Sequence, residues 1–348
     1  MKLIETGIEA RYQVKINNEW KKYFALIVFF LFQIVFLNSC NSQIKNTQME
    51  TKVIEVIQFT DPVCTWCWGS EPIVRALETK YGSQIKTSYI MGGLVKDIAM
   101  FSDSFNKIGG DPVRSNKNIA LHWLDASSRH GMPVEAEGFK LFSKENPSTY
   151  PQNIAYKAAQ MQDEDKANLF LRRIREASAA EAKVTSTTET LIELASEVGL
   201  DITQFIGDYT SGKAKAAFEE DLYTTSQNGV RGFPAFLIKY GEKKIMLNGY
   251  HKYEDFKSII SNLTNSEINE ATIKSNEETI LDFINNYSSV APIEIKMAFN
   301  LSENTLEKIE SALLEKKLIE KRIAGNGYFL ISKSNTRVCD INSGECGQ

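Results

Sequence analysis

The 348-residue chain has little charge of either excess sign: 40 Lys and Arg stand against 44 Asp and Glu, a formal net charge of −4. No basic field argues for nucleic acid and no acidic tract argues for a solvating tail, so bulk charge assigns no partner. Histidine is scarcer still. His122, His130 and His251 are far apart and lack metal-ligand spacing, which leaves surface or core roles for each and no metal in prospect. A long hydrophobic run is also missing. The longest, Tyr23 to Leu37 interrupted by Gln33, falls short of the about 20 residues a spanning helix needs. The apolar and charged fractions are those of a globular protein rather than a disordered one, and the length allows two domains.

There are five cysteines, few enough to account for one by one. Cys40 closes Leu37-Asn38-Ser39-Cys40 after Lys21-Lys22 and the apolar run, which reads as an export signal (1–40) ending in a lipobox, with Cys40 the lipidated residue. Asn41 to Met49 would then be a tether between a lipid anchor and a domain on the periplasmic side of the cell envelope. An uncleaved signal anchor is the alternative. Translation from Met49 would delete the signal and leave a cytoplasmic protein. Cys339 and Cys346, in a tail over 334–348, either close a small structural loop or form a second redox pair, with a joint four-thiolate zinc site the weaker option.

Cys64 and Cys67 remain, as Cys64-Thr65-Trp66-Cys67, between the alternating apolar run Val53 to Phe59 and a helix-forming stretch. A strand before and a helix after is the context of a redox Cys-x-x-Cys, although zinc half-sites share the spacing. The helix start would stabilise a thiolate at Cys64, predicting an exposed, low-pKa Cys64 above a buried Cys67. Asp61 and Glu71 flank the pair and are candidates for a proton relay to Cys67, or for capping and solvent-facing roles.

The segment DPVCTWCWGSEP resembles the active-site stretch of the DsbA-like thioredoxin-fold family, nearest its FrnE-like branch of disulfide oxidoreductases and isomerases. A second segment, Gly229-Val230-Arg231-Gly232-Phe233-Pro234-Ala235-Phe236-Leu237-Ile238, resembles the family loop in which a cis-proline faces the sulfurs. The resemblance spans roughly Val53 to Leu263. It implies an α/β thioredoxin fold with an inserted helical subdomain, catalytic Cys64 and Cys67, and substrate contacts at Thr65, Trp66, Phe233 and Pro234. It also implies protein substrates carrying thiols or disulfides, an unidentified redox partner, and no cofactor. Thr65-Trp66 departs from the histidine-containing pair of strongly oxidising relatives and implies a milder potential. Two alternatives go with it: an adaptor that binds a client without turnover, favoured by a Met49 start, or a glutathione-dependent isomerase or transferase, disfavoured because both cysteines are kept.

Along the chain the pattern predicts strands at Val53–Phe59 and Ile85–Met91 around a helix at Gly69–Tyr81. A helical insertion follows at about 100–220, including Ala155–Met161 and Thr190–Val198. Strands Ala235–Lys239 and Lys244–Asn248 and a helix at Tyr253–Leu263 close a thioredoxin domain of 51–265. After the polar stretch Thr264–Glu277, helices at Glu278–Asn286, Ile293–Phe299 and Ser302–Lys317 precede a two-stranded wing over Ile319–Ile331, a winged-helix-like module of 278–333. Its third helix mixes Glu303, Glu307, Glu310 and Glu315 with Lys308, Lys316 and Lys317, which is no phosphate-seeking surface. Docking on the thioredoxin domain, or on a second copy in a homodimer, is the expected use.

Overall fold

The computed structural model describes residues 53–333. The export signal, Cys40, the tether, Cys339, Cys346 and the tail lie outside the described residues.

Four strands form one sheet in the order β2-β1-β3-β4: β1 (Ile54–Thr60), β2 (Ile85–Met91), β3 (Ala235–Tyr240) and β4 (Lys243–Asn248). β1 and β2 run parallel with Ile54 opposite Ile85, β3 is antiparallel to β1 with Ile238 opposite Val56, and β4 returns beside β3. Between β1 and β2 lie α1 (Thr65–Trp68) and α2 (Glu71–Tyr81), not one helix from Gly69. Pro72 has no amide to give the Trp68 carbonyl four residues back, so the helical ladder breaks at Gly69-Ser70 and restarts. Ile54, Val56, Ile73, Leu77, Phe236 and Phe256 fill the core between the sheet and its helices.

The insertion between β2 and β3 holds α3 (Pro112–His130), α4 (Tyr150–Gln160), α5 (Glu164–Ala179), α6 (Thr188–Glu197), α7 (Ile202–Thr210) and α8 (Lys213–Gln227). Asp111, Asp163, Thr187 and Asp201 each cap a helix by accepting a first-turn amide. Tyr156, Phe170, Ile174, Leu194, Phe205 and Phe218 make its core. Between Gly131-Met132-Pro133 and Asn146-Pro147, over 131–149, the chain forms a strap without helix. Gly131 in the left-handed conformation ends α3, and Pro133 follows. The strap is tied down by Glu135 N–H donating to the Ala179 carbonyl at 2.7 Å and by the Asn116 amide oxygen, which accepts from Leu141 and Phe142. This is the α/β thioredoxin arrangement with an inserted helical subdomain that the resemblance implied, completed by α9 (Tyr253–Thr264).

The rest comprises α10 (Glu277–Tyr287), β5 (Ser289–Val290), α11 (Pro292–Phe299), α12 (Glu303–Glu315), β6 (Ile319–Ala324) and β7 (Gly327–Ser332), with strand order β5-β7-β6. β5 was invisible in the sequence because two residues carry no period. Ile280, Ile284, Ile295, Leu306, Leu313 and Leu330 form a core of their own. The hairpin nevertheless reaches across: Ala324 and Phe329 are buried with Trp68, Trp123, Met132 and Val134. At its turn, Asn326 exchanges hydrogen bonds with the Val134 backbone at 2.9 and 3.0 Å. Gly325, with φ of +51°, leaves the Val134 carbonyl in the space a side chain would need.

Candidate functional site

Cys64 is the N-cap of α1, and its sulfur accepts the Cys67 amide at 3.4 Å. The Cys64 thiol donates to the Phe233 carbonyl at 3.5 Å, and the Phe233-Pro234 peptide is cis. Both thiols are unbridged and buried, Cys64 to 6% exposure and Cys67 to none. The expected exposed, low-pKa Cys64 is therefore corrected. Burial pushes its thiol well above the ordinary value, the hydrogen bond and charge of Cys67 push it further, and α1 is a single turn with little field to offer. At Cys67 burial also opposes ionisation, but the Cys64 thiol, the Arg175 guanidinium and the Thr60 hydroxyl outweigh it and leave the pKa below ordinary.

The residues expected to meet a substrate divide. Thr65 and Pro234 are buried, whereas Trp66 and Phe233 are half-buried at the surface. The Phe233 carbonyl, expected to pair with an incoming strand, is engaged by Cys64. The Trp66 ring lies among His122, His130 and Tyr250 at centroid distances of 6.2, 6.0 and 5.4 Å. A largely apolar cavity of about 220 Å³ opens beside Cys64, walled by Val63, Leu94, Ile119, Trp123 and Phe233.

Both acidic neighbours of the pair are held by buried partners. Asp61 is fully buried, and although burial raises its pKa, its carboxylate accepts from the Val63 and Leu94 amides, the Thr149 hydroxyl and the Asn153 amide. It pins the loop after β1 to the insertion. Glu71 pairs with Arg175, and with Arg172 at 3.2 Å. Burial opposes its ionisation, but those arginines and Arg75 outweigh it and hold the carboxyl below the usual range.

Sequence reading missed the groups around Glu71. Arg172, Arg175 and Glu176 lie on the buried face of α5, where the apolar pattern gave no reason to expect charge. Arg172 grips Glu294 of α11 through two hydrogen bonds, at 2.7 and 3.1 Å, beneath the Trp68 ring. Arg75 reaches Glu294 at 2.7 Å, and Arg322 of β6 reaches Glu176 at 3.0 Å. The three-and-four spacing of Arg172, Arg175 and Glu176 was the available signal. Among the described residues no cluster of side chains is suited to hold a metal ion.

A sheet of order β2-β1-β3-β4, a Cys-x-x-Cys after β1 and a cis-proline before β3 define a thioredoxin-fold protein. The thioredoxin family model matches residues 57–258, more than half of the chain, and the chain belongs to that family. Among curated proteins it is 27% identical over 277 residues to the ClpXP adapter protein SpxH of Halalkalibacterium halodurans, covering 78% of this chain and 86% of that one. It is likewise 27% identical over 289 residues to the ClpXP adapter protein SpxH of Bacillus subtilis, covering 81% and 90%. A solved structure from Nitrosomonas europaea, provisionally called a protein disulfide isomerase, superposes with a TM-score of 0.52 at 19% identity, over 62% of this chain and 100% of that one; that likeness shows the fold. The expectation of a thiol-disulfide oxidoreductase or isomerase is overturned by the relatives that match most of the chain, which are adapters. A family fold and a Cys-x-x-Cys do not by themselves carry a family's reaction.

Proposed function

We propose that this protein is an adaptor, which binds a client protein and presents it to ClpXP without thiol-disulfide turnover. The observation that carries the reading is the match to adapter proteins over about four-fifths of the chain, longer than the thioredoxin segment alone. The thiol geometry supports it: Cys64 is covered, hydrogen-bonded and pushed towards the neutral form, a poor starting point for a nucleophile. The surface also supports it. The loop that walls the cavity through Phe101 and Ile108 turns Met100 and Phe105 to solvent at 86% and 91% exposure, apolar area of the kind a protein partner covers.

Deleting the gene should lengthen the half-life of at least one protein whose degradation requires ClpXP, read by pulse-chase proteomics. Unchanged turnover across the proteome would sink the reading. Complementation with Cys64→Ser, which cannot form the pair disulfide or complete an exchange cycle, should restore degradation to within about twofold; a null result there, with the variant folded, returns the chemistry to the centre.

A further inference from the structure

We propose that the groove between α3 and the strap over 131–149 binds an acidic, amphipathic helix of a partner protein. Successive turns of α3 bring Val113, Lys117, Ala120 and Leu121 to one side, since residues three and four apart share a helix face. Phe139, Lys140 and Lys144 of the strap form the facing wall. The groove holds about 770 Å³ against about 220 Å³ beside Cys64, and the two share only Phe142, so they are separate sites. Val113 is 78% exposed and Leu121 59%, whereas Ile119 and Trp123 of the same helix are buried. An apolar pair two turns apart, both members facing one groove, is surface that a partner covers. The walls are fixed before anything binds. Asn116 at the floor accepts the Leu141 and Phe142 amides at 3.1 and 2.9 Å and donates to the Phe142 carbonyl at 2.8 Å, while Phe139 packs on Trp123 with ring centroids 5.0 Å apart. Little has to be ordered on binding.

The charge of the rim selects the occupant. Lys117, Lys140 and Lys144 are exposed, and none of them is in an ion pair among the described residues. Two carboxylates share the rim. Asp111 is engaged as the cap of α3, accepting the Arg114 amide at 2.8 Å, and Glu145 lies near Lys140 and Lys144 without closing an ion pair with either. An apolar floor between unpaired lysines fits an apolar stripe flanked by Asp and Glu, and complementary charge of this kind sets register and partner choice. From residue 112 to 121 α3 rises about 14 Å, the length of two to three turns of a helix laid alongside it. A bilayer is too flat to reach apolar walls inside a groove, and three lysines without an exposed ring for stacking make a poor nucleic-acid site. The inference goes beyond the adaptor reading and fails separately from it: protein turnover tests that reading, peptide binding tests this one.

Fluorescence anisotropy with the full chain provides the test. The probe is a labelled peptide of about four helical turns, with Leu at helical spacing on one face and Glu on the other, beside a scrambled peptide of the same composition. The patterned peptide should bind at least about tenfold more tightly than the scrambled one, and several-fold more weakly when salt is raised from about 50 to about 300 mM. Val113→Ser with Leu121→Ser, and separately Lys117→Glu with Lys140→Glu and Lys144→Glu, should each weaken it by about tenfold or more; all five positions lie on the groove walls, and circular dichroism checks that the fold is kept. Equal binding of the two peptides overturns the proposal, as does wild-type affinity in either folded variant. Displacement of the peptide by duplex DNA, co-sedimentation with phosphatidylglycerol vesicles that Leu121→Ser abolishes, or a dimer that Leu121→Ser dissolves would each give the groove a different occupant, and each overturns it equally.

Discussion

Two side chains carry the clearest residue-scale predictions. In the reduced protein Cys64 and Cys67 should each alkylate at pH 7 at least about tenfold more slowly than a free cysteine, read site by site by peptide mass, because Cys64 is covered and its thiol held neutral by burial while Cys67 has no exposed surface. Labelling of Cys64 at the free-thiol rate would contradict this. His130 sets a pH window. Its ring is buried against Gly69, its Nδ1 accepts the Met132 amide at 3.1 Å, and burial pushes its pKa down from 6.5 to about 4. The unfolded chain therefore binds the extra proton between those values, and stability falls as pH drops from 7 to 5, by about 2 kcal/mol from this group. His122, also lowered by burial, adds in the same direction, whereas buried Asp61, raised, works against it. Chemical denaturation at pH 7 and pH 5 measures the loss. His130→Asn, whose amide oxygen can replace Nδ1 as acceptor, should flatten most of it. At this scale the cysteines and Phe233-Pro234 were legible because spacing marks them. The sign of the Cys64 shift was not, since it depends first on how deeply the fold buries the sulfur.

Elements were easier to read than their joints. β2 matches its expected bounds, and the strands and helices of 235–264 lie within a residue of theirs, because alternation and capping are local. The packing of the strap over 131–149 was not legible: Met132 and Val134 are buried with Phe329 and Ala324, partners that no local pattern names. The strap gives its own test. Gly325→Ala would force a side chain onto the Val134 carbonyl at a positive φ, and we expect a loss of about 2–3 kcal/mol in urea denaturation. Proteolysis should first increase within 131–149. Wild-type stability in this variant would mean that the hairpin rests on the strap without fixing it.

For the whole molecule, the polar stretch 264–277 looked like a domain boundary, yet the described residues fall in one compact unit. The charges explain this: removing the segment after it would leave Arg172 and Arg75 without Glu294, and unpairing such a buried group costs about 3–5 kcal/mol. A chain ended at residue 272 should therefore be poorly soluble or show no cooperative unfolding, and a stable, soluble truncation would contradict the pairing. Location follows from the N-terminal alternatives. Fractionation with labelled fatty acid separates them: label on Cys40 in the membrane fraction marks the exported form, and an unlabelled, soluble protein marks a product begun at Met49.

The grip of Glu294 on Arg172 also bears on how the protein is made. The sheet, the Cys-x-x-Cys turn and α5 all leave the ribosome before residue 294, so a nascent chain holds two buried-to-be arginines without their common partner. Domains ordinarily settle in the order they emerge. Here the early part has to wait for the late part, and chains arrested near residue 285 should be cut by protease in α5 where finished ones are not. A quality control that samples unfinished proteins would find this one exposed for most of its synthesis, and safe only once its last helices have arrived.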